Sequence, residues 1–145
     1  MPNKTEKAFE KSAGAVVFRK EGRKRHYLLL CYAEGHWDFI KGHIEEDEDD
    51  LETVQREAEE ETGLVDLEIL PEFKQDIHYE FAGKGTIISK DVFFYLAETK
   101  TKEIRLSYEH VNFEWLEFDD AVRKLTFENA KDVLRKAERF LQAGR

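Results

Sequence analysis

Hydrophobic and polar positions alternate along the chain in short blocks, and these blocks predict strands on either side of a strongly polar helix. Two apolar runs, residues 13–18 and 27–32, are separated by polar residues around a glycine, which predicts two strands joined by a turn. Residues 49–62 begin with a capping-box pattern and end at a glycine, which predicts a helix. Further short strands are predicted at residues 64–70, 73–81, 87–97, 104–106 and 113–116.

The last part of the chain changes from a strand pattern to a helical one. Residues 119–125 and 129–141 repeat apolar side chains at helical spacing, whereas residues 82–85 (AGKG) predict a turn between strands. This order predicts the α/β class, with a mixed β-sheet sandwiched between helices (α/β/α). There are only two prolines and no linker-like or repeated segment, so we expect residues 1–145 to form a single domain.

Charge and composition narrow the range of partners. A net charge of -9 opposes broad binding to nucleic acid or membranes, but a small anionic substrate remains compatible if a metal reverses the local charge. A single cysteine, Cys31, excludes a disulfide within the chain and favours a reducing compartment. No segment resembles an export signal or a membrane span, so we expect a cytoplasmic protein. The sequence leaves its oligomeric state open.

The predicted polar helix carries the most informative chemistry. Glu57, Glu60 and Glu61 stand at i, i+3 and i+4, so their carboxylates converge on one face. A solvated acidic surface is the simpler interpretation, yet such crowding favours bound cations, and hard oxygen ligands suit Mg²⁺, or Mn²⁺ in its place. The apolar residues expected to anchor this helix on the sheet are Leu51, Val54 and Ala58.

Residues around these carboxylates complete a candidate site for metal-assisted hydrolysis. Gly42 permits close approach of the backbone and can offer its carbonyl to a metal. Arg56 can hold a carboxylate with its planar fork, and Glu48 is the expected partner. A metal would polarise a phosphoryl group and lower the pKa of a bound water, whose proton a glutamate accepts. Spacing does not distinguish the three glutamates as bases, and we favour Glu57.

Residues 42–64, GHIEEDEDDLETVQREAEEETGL, fit the pattern G-x5-E-x7-R-E-U-x-E-E-x-G-U at every specified position, where U is apolar. This segment resembles the Nudix box, which binds magnesium and hydrolyses nucleoside diphosphates linked to another group. The similarity covers residues 12–142 and is closest to the asymmetric diadenosine tetraphosphate hydrolases. It implies a Nudix fold and Mg²⁺-dependent hydrolysis of diadenosine tetraphosphate to ATP and AMP.

The resemblance also implies roles for residues that bind the substrate. Tyr79 and Phe127 match the aromatic positions that sandwich an adenine ring in that branch, although either side chain is equally compatible with a place in the core. Lys41 and Lys90 match positions that hold phosphate, and the alternative for each is a solvated surface lysine. These four residues are therefore expected to bind the dinucleoside polyphosphate.

Three further residues are assigned by the same resemblance. Glu109 matches a downstream carboxylate that reaches the metals, and His36 and His43 match positions near the phosphates. The branch usually has a proline before the Lys–Gly pair, whereas residues 38–40 read Asp-Phe-Ile in this chain. Because proline would stiffen that loop, its absence bears on the shape of the pocket mouth.

Two alternative functions remain open. One is another Nudix pyrophosphohydrolase, acting on ADP-ribose, nucleoside triphosphates or a 5′-triphosphate RNA end, of which the negative net charge disfavours long RNA. The other is a non-catalytic nucleotide sensor, which would be expected to have lost carboxylates of the box. A panel of substrates separates the enzymes from one another, and turnover separates all of them from a sensor.

Overall fold

The computed structural model describes residues 6–144 and contains a mixed β-sheet with helices on both faces. The first five residues lie outside the described range. They are part of the N-terminal segment in which the sequence predicts no export signal. The elements are β1 (Glu6–Glu21), β2 (Lys24–Tyr32), β3 (Trp37–Asp38), β4 (Ile40–His43), α1 (Asp50–Thr62), β5 (Glu68–Gly83), β6 (Thr86–Glu98), β7 (His110–Leu116), α2 (Phe118–Lys124) and α3 (Glu128–Gly144).

The sheet is centred on a long parallel pair of strands. Its order is β3-β2-β1-β6-β5, with β4 paired to β1 and β7 paired to β2. Strands β1 and β6 run parallel from Glu6 opposite Thr86 to Phe18 opposite Glu98, and the other pairings are antiparallel. Hydrophobic periodicity did not predict residues 6–12 of β1, because this polar segment is held by backbone pairing to β6 rather than by buried side chains.

Each face of the sheet carries its own hydrophobic core, which confirms the predicted three layers. Val16 and Phe18 of β1 pack with α2 and α3 on one face. Ala15 and Val17 point to the opposite face and pack with α1. Alternate side chains of an extended strand point to opposite faces, so β1 serves both cores at once.

Helix α1 begins and ends as its sequence predicts, but its buried stripe differs from the predicted one. Asp49 and Glu52 form a reciprocal capping box, and Gly63 ends the helix at a φ of 77°. Val54 and Ala58 are fully buried, whereas Leu51 is 37% exposed because it lies in the first turn. The stripe continues instead through Glu61 and Thr62 at the other end, which carries one glutamate of the box into the interface with the sheet.

The predicted strand at residues 104–106 is wrong. Ile104 and Leu106 do pack against the core beneath α1, which explains their alternating pattern. The backbone, however, is bonded to the end of that helix: the Arg105 N–H donates to the Thr62 carbonyl at 2.9 Å and the Ser107 N–H to the Glu61 carbonyl at 3.2 Å. This segment satisfies carbonyls that every helix leaves unpaired at its C-terminus.

Two predicted boundaries of secondary-structure elements differ from those in the structure. Strand β5 begins at Glu68 rather than at residue 64, and the hairpin turn predicted at residues 82–85 narrows to residues 84–85. Within residues 6–144, none of the helices has the length and apolar character required to cross a membrane.

Candidate active site

The acidic face of α1 lies against β4, and a glycine permits this close approach. A Cβ atom on Gly42 would overlap the carboxyl carbon of Glu57, so no other residue fits here without displacing that side chain. Gly42 pairs with Ala13 on β1, which fixes the β4 backbone in the sheet. The glycine of the sequence pattern therefore sets the distance between the helix carboxylates and the sheet.

Arg56 organises the carboxylates around it. Its Nε and one terminal nitrogen donate to the two oxygens of Glu48 at 2.6 and 3.0 Å, which is the predicted fork. Its other terminal nitrogen donates to Glu57 at 2.8 Å and to Glu60 at 3.2 Å, and the guanidinium also reaches the His43 carbonyl. The hydrogen bonds from Arg56 lower the pKa of Glu48 to about 2, so this carboxylate is ionised and structural.

Glu61 is in a very different environment. Its residue surface is only 3% exposed, and neither carboxyl oxygen has a hydrogen-bond partner among the described residues. His110 Nε2 lies 3.4 Å from one oxygen without forming a hydrogen bond, and that nitrogen is also unpaired. Burial and the negative charge of Glu57 raise the pKa of Glu61 to about 9. A buried carboxyl group without partners is costly, so the two oxygens of Glu61 are suited to bind a cation.

A cavity of about 610 Å³ opens over these carboxylates, and we call it the carboxylate cavity. It contains most of the predicted site residues: Lys41, Gly42, His43, Arg56, Glu57, Glu60, Glu61, Lys90 and Glu109. Residues separated by about 50 positions in sequence, such as Glu109 and the helix glutamates, thus meet in one place. The structure adds lining residues that the sequence did not predict: Ser12, Tyr32, Glu45, Ser107 and Tyr108. Of these five residues, only Ser107 and Tyr108 could have been predicted from the sequence, because they directly precede Glu109.

Two lysines give the carboxylate cavity a cationic side. Lys41 donates to Asp38 at 3.0 Å; burial lowers the pKa of Lys41, but the Asp38 carboxylate outweighs it and leaves that pKa raised. Burial and the nearby charge of Lys41 lower the pKa of Lys90. Two ammonium groups close enough to repel one another form a region suited to a polyanion.

An apolar opening lies beside this cationic side. Ile77, Tyr79, Phe127 and Asn129 line a cavity of about 240 Å³, which we call the aromatic cleft. Tyr79 is directly opposite Lys90 across the β5–β6 pair, so both side chains lie on the same face of the sheet. The two predicted aromatic residues therefore meet around one space, although they are far apart in sequence.

His36 occupies a different position from His43. It does not line the carboxylate cavity; its ring stacks on Tyr32 at 4.6 Å between centroids and lies 5.5 Å from Phe127. Tyr32 also donates to the Phe39 carbonyl at 2.7 Å, so the lead-in loop that lacks proline is held by this hydrogen bond. The stack of Tyr32, His36 and Phe127 links the carboxylate cavity to the aromatic cleft.

The donor set fits a hard divalent cation. Carboxylate oxygens of Glu57, Glu61 and Glu109 face one cavity, and the two oxygens of Glu61 are available. Within residues 6–144, no three metal-binding side chains already converge on a single point. Arg56 donates hydrogen bonds to both Glu57 and Glu60, so these two carboxylates are held beside its guanidinium.

The model of the NUDIX domain matches residues 8–137, a span that includes the whole sheet core, α1 and both cavities. The chain belongs to the Nudix family. Nudix hydrolases generally use divalent metals such as Mg²⁺, in agreement with the oxygen donors of this site. The fold predicted from the box is thereby confirmed, including its mixed sheet between helices.

Curated relatives of this Nudix chain cover nearly its whole length. The bis(5′-nucleosyl)-tetraphosphatase [asymmetrical] of Rattus norvegicus is 36% identical over 143 residues, which is 90% of this chain and 95% of that protein. The protein of the same name from Caenorhabditis elegans is 34% identical over 136 residues, covering 90% of this chain and 96% of that protein. The two relatives share the same name.

Solved structures of other proteins superimpose on most of this chain. A C. elegans Ap4A hydrolase binary complex superimposes with a TM-score of 0.79 at 30% identity, covering 92% of this chain and 98% of that one. The NUDIX domain of Shewanella oneidensis NrtR, solved with ADP ribose, superimposes with a TM-score of 0.74 at 19% identity, covering 92% and 89%. The second likeness shows a shared fold alone.

Proposed function

We propose that this Nudix hydrolase cleaves diadenosine tetraphosphate asymmetrically, giving ATP and AMP. The observation that carries the proposal is the adjacency of three surfaces: the aromatic cleft, the lysine pair and the buried carboxylates. Each suits a different part of one dinucleoside polyphosphate, namely a base, a phosphate chain and the reacting phosphorus. The relatives that match over most of the chain are named for this activity.

The substrate is held by contacts of different chemistry along this path. Tyr79 and Phe127 stack on the faces of one adenine, an interaction worth about 1–3 kcal/mol per base. Lys41 and Lys90 bind phosphate oxygens, and Asp38 holds the Lys41 ammonium in place at 3.0 Å. Together these contacts position the phosphate chain over the acidic face of α1.

The carboxylates supply the hydrolytic chemistry. Glu57, Glu60, Glu61 and Glu109, with the Gly42 carbonyl, would hold divalent metal, which would supply Lewis-acid polarisation of the phosphoryl group and activation of water. Glu57 accepts the proton from the attacking water, and Arg56 fixes the orientation of that carboxylate. The water oxygen bonds to the phosphorus nearest one adenosine, the bridging P–O bond breaks, and ATP leaves with the bridging oxygen.

A product assay tests this proposal. Purified protein is incubated with diadenosine tetraphosphate and Mg²⁺, and the nucleotides are resolved by chromatography. We expect ATP and AMP in equal amounts, no product in excess EDTA, and recovery when Mg²⁺ is restored. Two ADP per substrate would overturn the position of attack, and consumption of ADP-ribose or nucleoside triphosphate alone would overturn the substrate.

A further inference from the structure

The largest exposed aromatic surface in the described part of the chain lies at the carboxylate cavity. Tyr108 is 92% exposed, yet its residue lines that cavity next to Ser107 and Glu109. We infer that Tyr108 is the stacking platform for the second nucleobase of the dinucleoside polyphosphate, the one that the aromatic cleft does not hold. This inference rests on the proposed function and concerns the same substrate.

The backbone that carries Tyr108 is fixed on both sides. Ser107 N–H donates to the Glu61 carbonyl at the end of α1, and the Glu109 carbonyl accepts from Ala33 N–H at 3.0 Å. His110 N–H closes the turn by donating to the Ser107 carbonyl at 3.2 Å. An exposed aromatic ring on an anchored turn loses little conformational freedom when a planar ligand stacks on it.

Tyr108 and Tyr79 belong to opposite halves of the sheet. Tyr79 is on β5, whereas Tyr108 lies two residues before β7, which pairs with β2, so β6, β1 and β2 separate the two strands. Lys90 is on β6 and Lys41 is on β4, which pairs with β1, so both lysines belong to strands between them. Glu61 is close enough to Glu109 for that carboxylate to raise the pKa of Glu61. A tetraphosphate that runs from the cleft past the lysines therefore brings its second nucleoside toward Tyr108.

The ring of Tyr108 suits a planar neutral group. It carries no charge for a phosphate, and any cation held by the adjacent Glu109 and the glutamates of α1 would bind the reacting phosphate instead. A nucleobase is neutral and presents a π-face to an aromatic ring whatever its identity. The surface thus suits the terminal nucleoside rather than a longer phosphate chain.

The experiment compares two substrates that differ only in the second nucleoside. Steady-state kinetics are measured with diadenosine tetraphosphate and with adenosine 5′-tetraphosphate, for wild type, Tyr108→Ala, Tyr108→Phe and Val111→Ala. Val111 is the matched control, because it is 65% exposed near the same turn but does not line the cavity. Since Tyr108 is almost fully exposed, its replacement leaves the fold intact.

We expect Tyr108→Ala to raise KM for diadenosine tetraphosphate at least ~5-fold with little change in kcat, as lost stacking on a remote group requires. The same variant leaves adenosine tetraphosphate unchanged, and Tyr108→Phe and Val111→Ala behave as wild type. Equal effects on both substrates, or none on either, would overturn the inference. If the wild-type protein cleaves no diadenosine tetraphosphate, that result overturns the proposed function and also the inference that rests on it.

Discussion

The carboxylate cavity and the aromatic cleft are neighbours, but they are built by different physics. The first is fixed by directed contacts. Arg56 donates hydrogen bonds to three carboxylates, and the lack of a side chain at Gly42 leaves space for the Glu57 carboxyl group. The second is an apolar space lined by Tyr79 and Phe127. Reaction chemistry requires precise placement of atoms, whereas stacking tolerates small displacements.

The contrast predicts where substitutions act. Changes to the carboxylates of α1, or to the glycine that positions them, are expected to lower turnover, because they remove or displace groups that act on the reacting phosphorus. Changes in the aromatic cleft are expected to weaken binding and to leave kcat nearly intact. The variants below test this division, in order of decreasing expected effect.

Glu61→Gln removes from the carboxylate cavity a carboxyl group that can bind metal as an anion. We expect turnover to fall at least ~100-fold, because a neutral amide cannot replace an anionic metal ligand. The melting temperature in EDTA should not fall, since the buried carboxyl group has no hydrogen-bond partner to lose. The control is Glu59→Gln, an exposed glutamate on the same helix. Turnover near the wild-type level would contradict the role of Glu61.

Gly42→Ala tests whether close approach of β4 to α1 is required. The added methyl group overlaps the Glu57 carboxyl group and must displace it. Because misplacement by roughly 1 Å can cost about 100-fold in rate, we expect a loss between about 10- and 100-fold in kcat. Gly83→Ala is the matched control in a strand, where a Cβ atom meets only ordinary contacts. Equal losses in the two variants would refute this explanation.

Phe127→Ala opens the aromatic cleft. Loss of one stacking surface should raise KM for diadenosine tetraphosphate about ten-fold and leave kcat within a factor of about two. Phe127 is 46% exposed, so the fold should tolerate the change, and the exposed Phe9 provides a control outside both cavities. Unchanged affinity would show that adenine binds elsewhere. A fall in kcat alone would contradict the assignment of binding to the aromatic cleft and of turnover to the carboxylate cavity.

Asp49→Ala removes the N-terminal cap of α1 without touching either cavity. We expect the free energy of unfolding, measured by urea denaturation, to fall by about 1 kcal/mol because Glu52 N–H loses its acceptor. Kinetic constants should be unchanged, since Arg56 and Gly42 still position the carboxylates. Glu46→Ala, an exposed residue in the preceding loop, should leave the unfolding free energy unchanged. A loss of activity with normal stability would contradict the separation of cap and site.

Much of the fold follows from local pattern, and the failures have identifiable physical causes. Helix α1 matched its prediction at both ends because a capping box and a left-handed glycine are local signals. Residues 104–106 were misassigned because alternation reports only which side chains are buried, not where the backbone groups bond. Leu51 was expected to anchor α1 on the sheet, but it lies in the first turn of that helix and is 37% exposed.

The sequence by itself determined the family, the set of carboxylates and the glycine between them, because fixed spacing along a helix and a strand encodes these relations locally. Only the tertiary structure decided how the carboxylates differ. Glu60 is exposed, Glu57 is held by Arg56 and Glu61 is buried without a partner, although all three share one face in sequence. A contact between residues far apart in sequence, Tyr32 and His110, also placed Tyr32 at the cavity, and no local pattern reports such contacts.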